Sequence, residues 1–210
     1  MAGGHGQIAR YTSRLLSGAG HEVRSLIRNP DQSDDIRADG GTPVVVDLEA
    51  VTDVELADRI GPADAVVFAA GAGPGSGAAR KETVDYEGAV KLLGAAERLG
   101  VAHYVMISAI GADADHPGDE VFDVYLRAKG RADDAVRAGP VPHTIIRPTR
   151  LTDDEPTGKV ELSLGASGGP VTRADVAAVV AATVERSRPT GATLDLTGGD
   201  TPVAEAVEVV

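Results

Sequence analysis

The chain has 210 residues, 42% of them apolar and 25% charged, with a net charge of −12 and a pI near 4.8. That balance repels nucleic acid and anionic lipid over most of the surface, and the absence of cysteine excludes disulfides, a thiol nucleophile and zinc–thiolate ligation. No apolar run approaches the roughly 20 residues that span a bilayer and no signal peptide is read at the start, so a cytoplasmic, one-domain protein acting on a small molecule is expected.

Taken in order, Gly3, Gly6 and Ala9 fall in a G-x-x-G-x-x-A spacing, and an apolar-periodic helix follows at once through Ile8, Thr12, Leu15 and Leu16. A glycine turn running into a helix N-terminus is an anion site, because free backbone N–H groups and the positive end of the dipole face the ligand. A small third residue, here Ala9, lets the helix pack closely on a sheet. Only Met1 and Ala2 precede Gly3, whereas a strand of about five residues belongs before such a loop. An upstream start, another segment in that place or an unfilled slot would each account for this, and the upstream start is preferred.

Gly18-Ala19-Gly20 stops the helix, His21–Arg28 reads as a strand, and Asn29-Pro30 ends it. A short polar helix is predicted over Asp31–Asp39 and an apolar strand, covered on both faces, over Pro43–Asp47. A helix over Asp53–Ile60 and a buried strand over Asp64–Ala70 follow, then a mobile loop, Gly71–Gly77, with four glycines and Pro74. Further on come a long helix over Lys81–Leu99, a strand over Ala102–Ser108, a helix over Val121–Ala138 and a strand over His143–Arg147 closed by Pro148. The tail, 149–210, reads as a small cap or sheet extension: a short strand at Lys159–Leu164, a helix at Ala174–Arg186 and a strand at Thr193–Thr197. Alternating short strands and amphipathic helices predict an α/β fold with a doubly wound parallel sheet, Rossmann-like in order, with its first strand truncated.

Ligands in such sheets lie at the carboxyl ends of the strands. Arg28 ends the second strand, where an arginine accommodates the 2′-phosphate of NADP and an acid would favour NAD; the alternative is a solvated surface arginine. Asp47-Leu48 ends the third strand, with the carboxylate either at an adenine edge or capping a turn. Ala69, Ala70 and Gly71 end the fourth with small residues that leave room for a cofactor. Ser108 ends the fifth, and Tyr125-x-x-x-Lys129 follows on a helix, where i and i+4 share a face. A neighbouring ammonium lowers a phenol pKa from about 10 toward the neutral range needed for proton transfer.

The five histidines are scattered, none at metal-ligand spacing with another, and are read as loop or surface residues, with His5 able to touch a phosphate. The pairs Asp34-Asp35, Asp133-Asp134 and Asp153-Asp154 read as solvated faces or turn caps. Ser13, Ser17 and Ser76 lack the strand–turn–helix setting of a nucleophile elbow. The segment Asp113–Glu120 lies between Ser108 and Tyr125 and is expected to border the pocket.

On Gly3-x-x-Gly6-x-x-Ala9, Arg28-Asn29-Pro30, Asp47-Leu48, Ala70-Gly71, Ser108, Tyr125-x-x-x-Lys129 and Arg147-Pro148-Thr149, the stretch Met1–Leu151 resembles the short-chain dehydrogenase/reductase superfamily. The likeness is to its atypical NAD(P)-binding branch, with NmrA-like and sugar-epimerase-like proteins. The resemblance implies a pyrophosphate on Gly3, Gly4, His5, Gly6, Gln7 and Ile8, a 2′-phosphate near Arg28, and adenine near Asp47 and Leu48. It implies Lys129 on the nicotinamide ribose, with Ser108 and Tyr125 at the reacting carbon. Many such enzymes relay protons through an asparagine on the helix before the serine strand, yet the only asparagine here is Asn29. The implied function is hydride transfer between NADP(H), or NAD(H), and a small carbonyl or alcohol, with epimerisation or dehydration as a variant. The alternative is a non-catalytic NADP(H) sensor acting through a partner.

Overall fold

In the computed structural model, which describes residues 1–73 and 75–209, the glycine turn runs directly into helix α1 (Gln7–Gly18). Pro74 of the predicted glycine loop and the terminal Val210 lie outside the described residues. Strand β1 (Arg24–Ile27) is followed by a 3-10 turn at Pro30–Gln32 and by α2 (Ser33–Ala38), which together replace the one helix expected there. Next come β2 (Thr42–Val45), α3 (Asp53–Ile60) and β3 (Ala65–Phe68). The Thr52 hydroxyl accepts from Glu55 N–H while the Glu55 carboxylate accepts from Thr52 N–H, a capping box that sets where α3 begins.

A short turn of helix, α4 (Ala78–Arg80), precedes the long helix predicted over Lys81–Leu99, which is itself two pieces: a π-helical segment Lys81–Tyr86 and α5 (Glu87–Leu99). The extra residue per turn rotates Lys81 and Asp85 inward, which straight helical spacing does not reveal. Beyond it are β4 (His103–Ile107), α6 (Val121–Ala138), β5 (His143–Pro148), β6 (Leu151–Thr152), β7 (Lys159–Ser163) and β8 (Val171–Thr172). The last elements are α7 (Arg173–Arg186), β9 (Ala192–Gly198), β10 (Thr201–Pro202) and α8 (Val203–Glu208). The pairs β6–β8 and β10–α8 are too short for periodicity to signal.

The main sheet runs β10-β7-β9-β5-β4-β3, parallel from β9 to β3, with β7 antiparallel to β9 and β10 antiparallel to β7. The tail thus extends the sheet, and its reversal at β7 departs from an all-parallel order. The parallel pair β1–β2 joins this sheet through Ala2, which bridges both Leu26 and Phe68. Ala2 N–H donates to Val67 (2.8 Å), Ala69 N–H donates to Ala2 (3.1 Å) and Leu26 N–H donates to Met1 (2.8 Å). So Met1 and Ala2 themselves fill the upper end of the central slot. Beneath Met1 a cavity of about 220 Å³ remains, lined by Leu16, Val23, Arg24, Ala65, Val66 and Val67.

Strand residues alternate between two buried faces, as expected of a sheet covered on both sides. Val66, Phe68, Tyr104, Met106 and Ile145 pack with α3, α5 and α6, whereas Val67, Val105, Ile107 and Ile146 pack with α7 and α8. Strand β2 is the exception: it is an edge strand with exposed residues, so the expected covering of Pro43–Asp47 on both faces does not hold. Asp175, buried at the start of α7, accepts from Thr157 and Gly158 N–H and from the Thr172 hydroxyl, tying the loop before β7 to the helix.

Candidate functional site

The glycine turn owes its shape to crowding. Gly3 adopts φ +73°, and a Cβ there would meet Ala70 Cα at 2.6 Å, so the turn lies hard against the end of β3. Gly6 N–H donates to Gly3 (2.9 Å), and α1 starts with no side-chain cap and no acid in its first turn. Its first N–H groups therefore have neither a side-chain cap nor an acid of the helix's own first turn to satisfy them, an arrangement that suits an anion. Of the residues expected here, Gly3 and Gly4 pack against the strands, Gln7 is exposed, and Ile8 faces a cavity at the carboxyl ends of the strands. His5 turns away, its Nε2 2.7 Å from Asp35, and that contact and Arg10 hold the Asp35 carboxyl below the usual range.

At the carboxyl end of β1, Arg28 is 58% exposed and lies 3.4 Å from Glu49. Glu49 also accepts from Thr83 (2.6 Å) and Arg80 (2.7 Å), which keep its carboxyl below the ordinary value. Two arginines therefore converge where sequence reasoning expected one, and Arg80 carried no local signal because its strand-end neighbour is remote in sequence. Asp47 Oδ1 accepts from Glu49 N–H (3.0 Å), the turn-cap role, and the Leu48 carbonyl accepts from Lys91.

The cavity has a volume of about 1000 Å³ and brings together Ala69, Ala70, Gly71, Ser108, Tyr125 and Lys129. Ser108 is buried, and its Oγ has no well-formed hydrogen bond among the described residues. Lys129 Nζ donates to the Ile107 carbonyl (3.1 Å) and lies 3.5 Å from Asp85, with its ammonium 5.9 Å from the centre of the Tyr125 ring. Lys129 pulls the Tyr125 phenol down, as expected of a neighbouring ammonium, but the net shift is upward. Burial raises the phenol above its ordinary value, Asp85 and Asp133 raise it further, and the opposing pull of Lys129 does not prevail.

Asp133 was read as part of a solvated pair, yet its side chain is fully buried and bonded to Arg147 Nε at 2.8 Å and Nη2 at 2.7 Å. It follows Tyr125 and Lys129 by one further turn of α6, so the i, i+4, i+8 spacing was the signal that could have found it. Burial pushes its carboxyl up, against the pull of Ser108 and Arg147. Asp85, on the π-helical segment before the serine strand, was missed because its only signal is tertiary. His103 and His143 are also buried rather than on the surface; His103 Nε2 lies 2.8 Å from Thr144 Oγ1, and burial and His143 lower its pKa.

The segment Asp113–Glu120 does not border this cavity. It folds onto α6, where a Cβ on Gly130 would meet Ala114 N at 2.2 Å and His116 pairs with Asp123 at 3.1 Å. Among the described residues no group of three or more His, Asp or Glu side chains is placed to hold a metal ion. No helix among them is long and apolar enough to cross a membrane.

The open start of α1, the small residues at the end of β3 and the unpartnered Ser108 hydroxyl on one cavity fit a nicotinamide dinucleotide. Comparison with known proteins agrees. Residues 3–187 match the family model described as NAD(P)H-binding. An uncharacterised sugar epimerase of Bacillus subtilis is 33% identical over 99% of this chain and 97% of its own. A Bacillus halodurans structure named for the NAD-dependent epimerases/dehydratases is 37% identical, with a TM-score of 0.91, and covers 100% of this chain and 97% of its own. An oxidoreductase of Lactococcus lactis is 26% identical with a TM-score of 0.84, over 100% of this chain and 96% of its own. The chain belongs to the NAD(P)H-binding family, in its oxidoreductase- and epimerase-like branch, and takes a nicotinamide cofactor.

Proposed function

We propose that this NAD(P)H-binding protein is an NADP(H)-dependent oxidoreductase that reduces a small carbonyl substrate, or oxidises the alcohol. The observation that carries the reading is the meeting of Ser108, Tyr125 and Lys129 on the cavity that also receives Ile8 from the start of α1. The glycine turn and the first N–H groups of α1 would hold the pyrophosphate, Arg28 and Arg80 the 2′-phosphate, and Lys129 the nicotinamide ribose. When bound, the nicotinamide supplies or accepts the hydride.

The chain's own residues handle the proton and the oxygen. Ser108 Oγ, which is close enough to influence the Asp133 carboxyl but makes no well-formed hydrogen bond among the described residues, would hold the substrate oxygen. Tyr125 keeps its proton at neutral pH because its environment raises the phenol pKa, and it would donate that proton to the oxygen during reduction. Lys129, fixed by the Ile107 carbonyl and Asp85, keeps a positive charge near the phenolate left behind. An epimerisation or dehydration passing through a transient ketone would use the same groups.

The test is a fluorescence titration with NADPH and, separately, NADH, followed by a substrate screen with the parent and Tyr125→Phe. Tighter NADPH binding with turnover lost in Tyr125→Phe supports the reading. Binding without turnover of any carbonyl or alcohol tried would favour the non-catalytic sensor.

A further inference from the structure

The chain carries a net charge of −12, yet among the described residues four cations, Lys81, Lys129, Arg150 and Arg173, line the cavity with Asp85 as its one acid. Lys129 is neutralised by Asp85, and Arg173 by Asp153 at 2.8 Å. Lys81 and Arg150 have no carboxylate partner among the described residues. Lys81 is only 9% exposed, and among the described residues its Nζ has one hydrogen bond, to the Gly73 carbonyl at 3.1 Å. A nearly buried ammonium with no carboxylate partner among the described residues is costly unless an anion arrives to pair with it. The same Nζ sits 5.4 Å from the centre of the Tyr125 ring, beside the proposed proton donor.

The opposite requirement is met one turn away. Phe122, on the cavity, leaves 64% of itself exposed, and its ring stacks on Tyr125 at 5.8 Å and 29°. With Val121 also 46% exposed, this is an aromatic and apolar shelf next to a buried cation.

We infer that the substrate is a planar conjugated carboxylic acid, its ring system lying on Phe122 and its carboxylate on Lys81. Arg150, exposed at the cavity's edge, draws the anion in from a protein surface that otherwise repels it. This inference rests on the oxidoreductase reading for the identity of the cavity as a substrate site, and it names the substrate class.

The probes are 2-naphthoate and its neutral isostere 2-naphthamide, titrated by calorimetry into protein saturated with NADP+. Naphthoate is expected to bind about tenfold more tightly than naphthamide, the scale of one well-placed charge contact. Lys81→Gln should bring the two ligands to parity while leaving NADPH affinity unchanged. Phe122→Ala should weaken both ligands alike, and Arg150→Gln should weaken naphthoate at low salt but not at high salt. Equal binding of the two probes by the parent, or no binding of either, overturns the inference. So does a preference for naphthoate that survives Lys81→Gln, or a loss of NADPH affinity in that variant, which would make Lys81 a cofactor residue. NADPH binding is read separately, so a protein that binds NADPH but not naphthoate refutes only the substrate class. One that discriminates the naphthyl probes but binds no NADPH refutes the cofactor reading instead.

Discussion

Lys129 Nζ lies 3.5 Å from Asp85 Oδ1, and the two side chains are 4% and 1% exposed. The pair clasps three separate parts of the chain, because Asp85 Oδ2 also accepts from Ala72 N–H at 3.1 Å in the loop after β3. The contact thus joins that loop, the π-helical segment and α6 around the proposed reacting centre. Asp85 stands on the helical run before the serine strand, the region in which the resembled enzymes carry a relay asparagine.

Asp85→Asn should keep the Ala72 bond through its amide oxygen but leave the Lys129 charge unpaired. Removing one partner of a buried pair costs about 3 kcal/mol, readable as a lower urea midpoint. It should also move the alkaline limb of the rate profile to lower pH, because the Asp85 charge is one of the groups that raise the Tyr125 phenol. A stability loss with the limb unmoved would make Asp85 purely structural.

Tyr125→Phe should lower kcat for carbonyl reduction by roughly 100-fold or more, the scale of one general-acid contribution, with NADPH affinity unchanged. The sign of the pH dependence follows from burial, which raises the phenol, with Asp85 and Asp133 acting the same way. Reduction needs the protonated form and should stay level through neutrality, falling only above the ordinary phenol value of about 10. Oxidation of the alcohol needs the phenolate and should rise over the alkaline range. Initial rates in both directions across pH measure this.

Arg28→Asp should weaken NADPH binding far more than NADH binding. Arg80→Gln should act in the same direction, since both guanidiniums converge on Glu49. Paired fluorescence titrations decide it, and an unchanged NADPH-to-NADH ratio in both variants would remove the 2′-phosphate from this corner of the fold.

Asp39, almost buried after α2, takes Arg10 Nε at 2.5 Å and Arg14 Nε at 2.7 Å, pinning α1 to α2 beside the glycine turn. Burial alone would raise its carboxyl, but the two arginine bonds hold it below the ordinary value. Its stabilisation is therefore present above the ordinary carboxylate pKa of about 3.9 and is lost as pH falls through the lower folded value. Asp39→Asn should destabilise the protein by about 2 kcal/mol at pH 7, and the gap from the parent should shrink in acid. Urea unfolding at pH 7 and near pH 3 tests it.

Much of this molecule was legible in one dimension because its signals are local. Helices over Asp53–Ile60 and Val121–Ala138 were read with the bounds they have, since caps and apolar periodicity fix both ends. The strand ends were close enough to bring Ala69–Gly71, Ser108 and Tyr125-x-x-x-Lys129 to one place. The misreadings share a different cause. Asp133 looked solvated because the arginine that pairs with it is on β5, and Asp85 gave no sign because a π-helical turn changed the face it presents.

By itself, then, the sequence determined the alternation of strand and helix, the glycine turn and the residue types at the strand ends, all set by neighbours within a few positions. Only the tertiary structure decided how charges pair and which groups are desolvated. It seated Ala2 between Leu26 and Phe68, gave Lys129 to Asp85, left Lys81 facing the cavity and raised the Tyr125 phenol. Burial and pairing depend on groups brought together from distant parts of the chain, and those are the quantities that set the chemistry of the site.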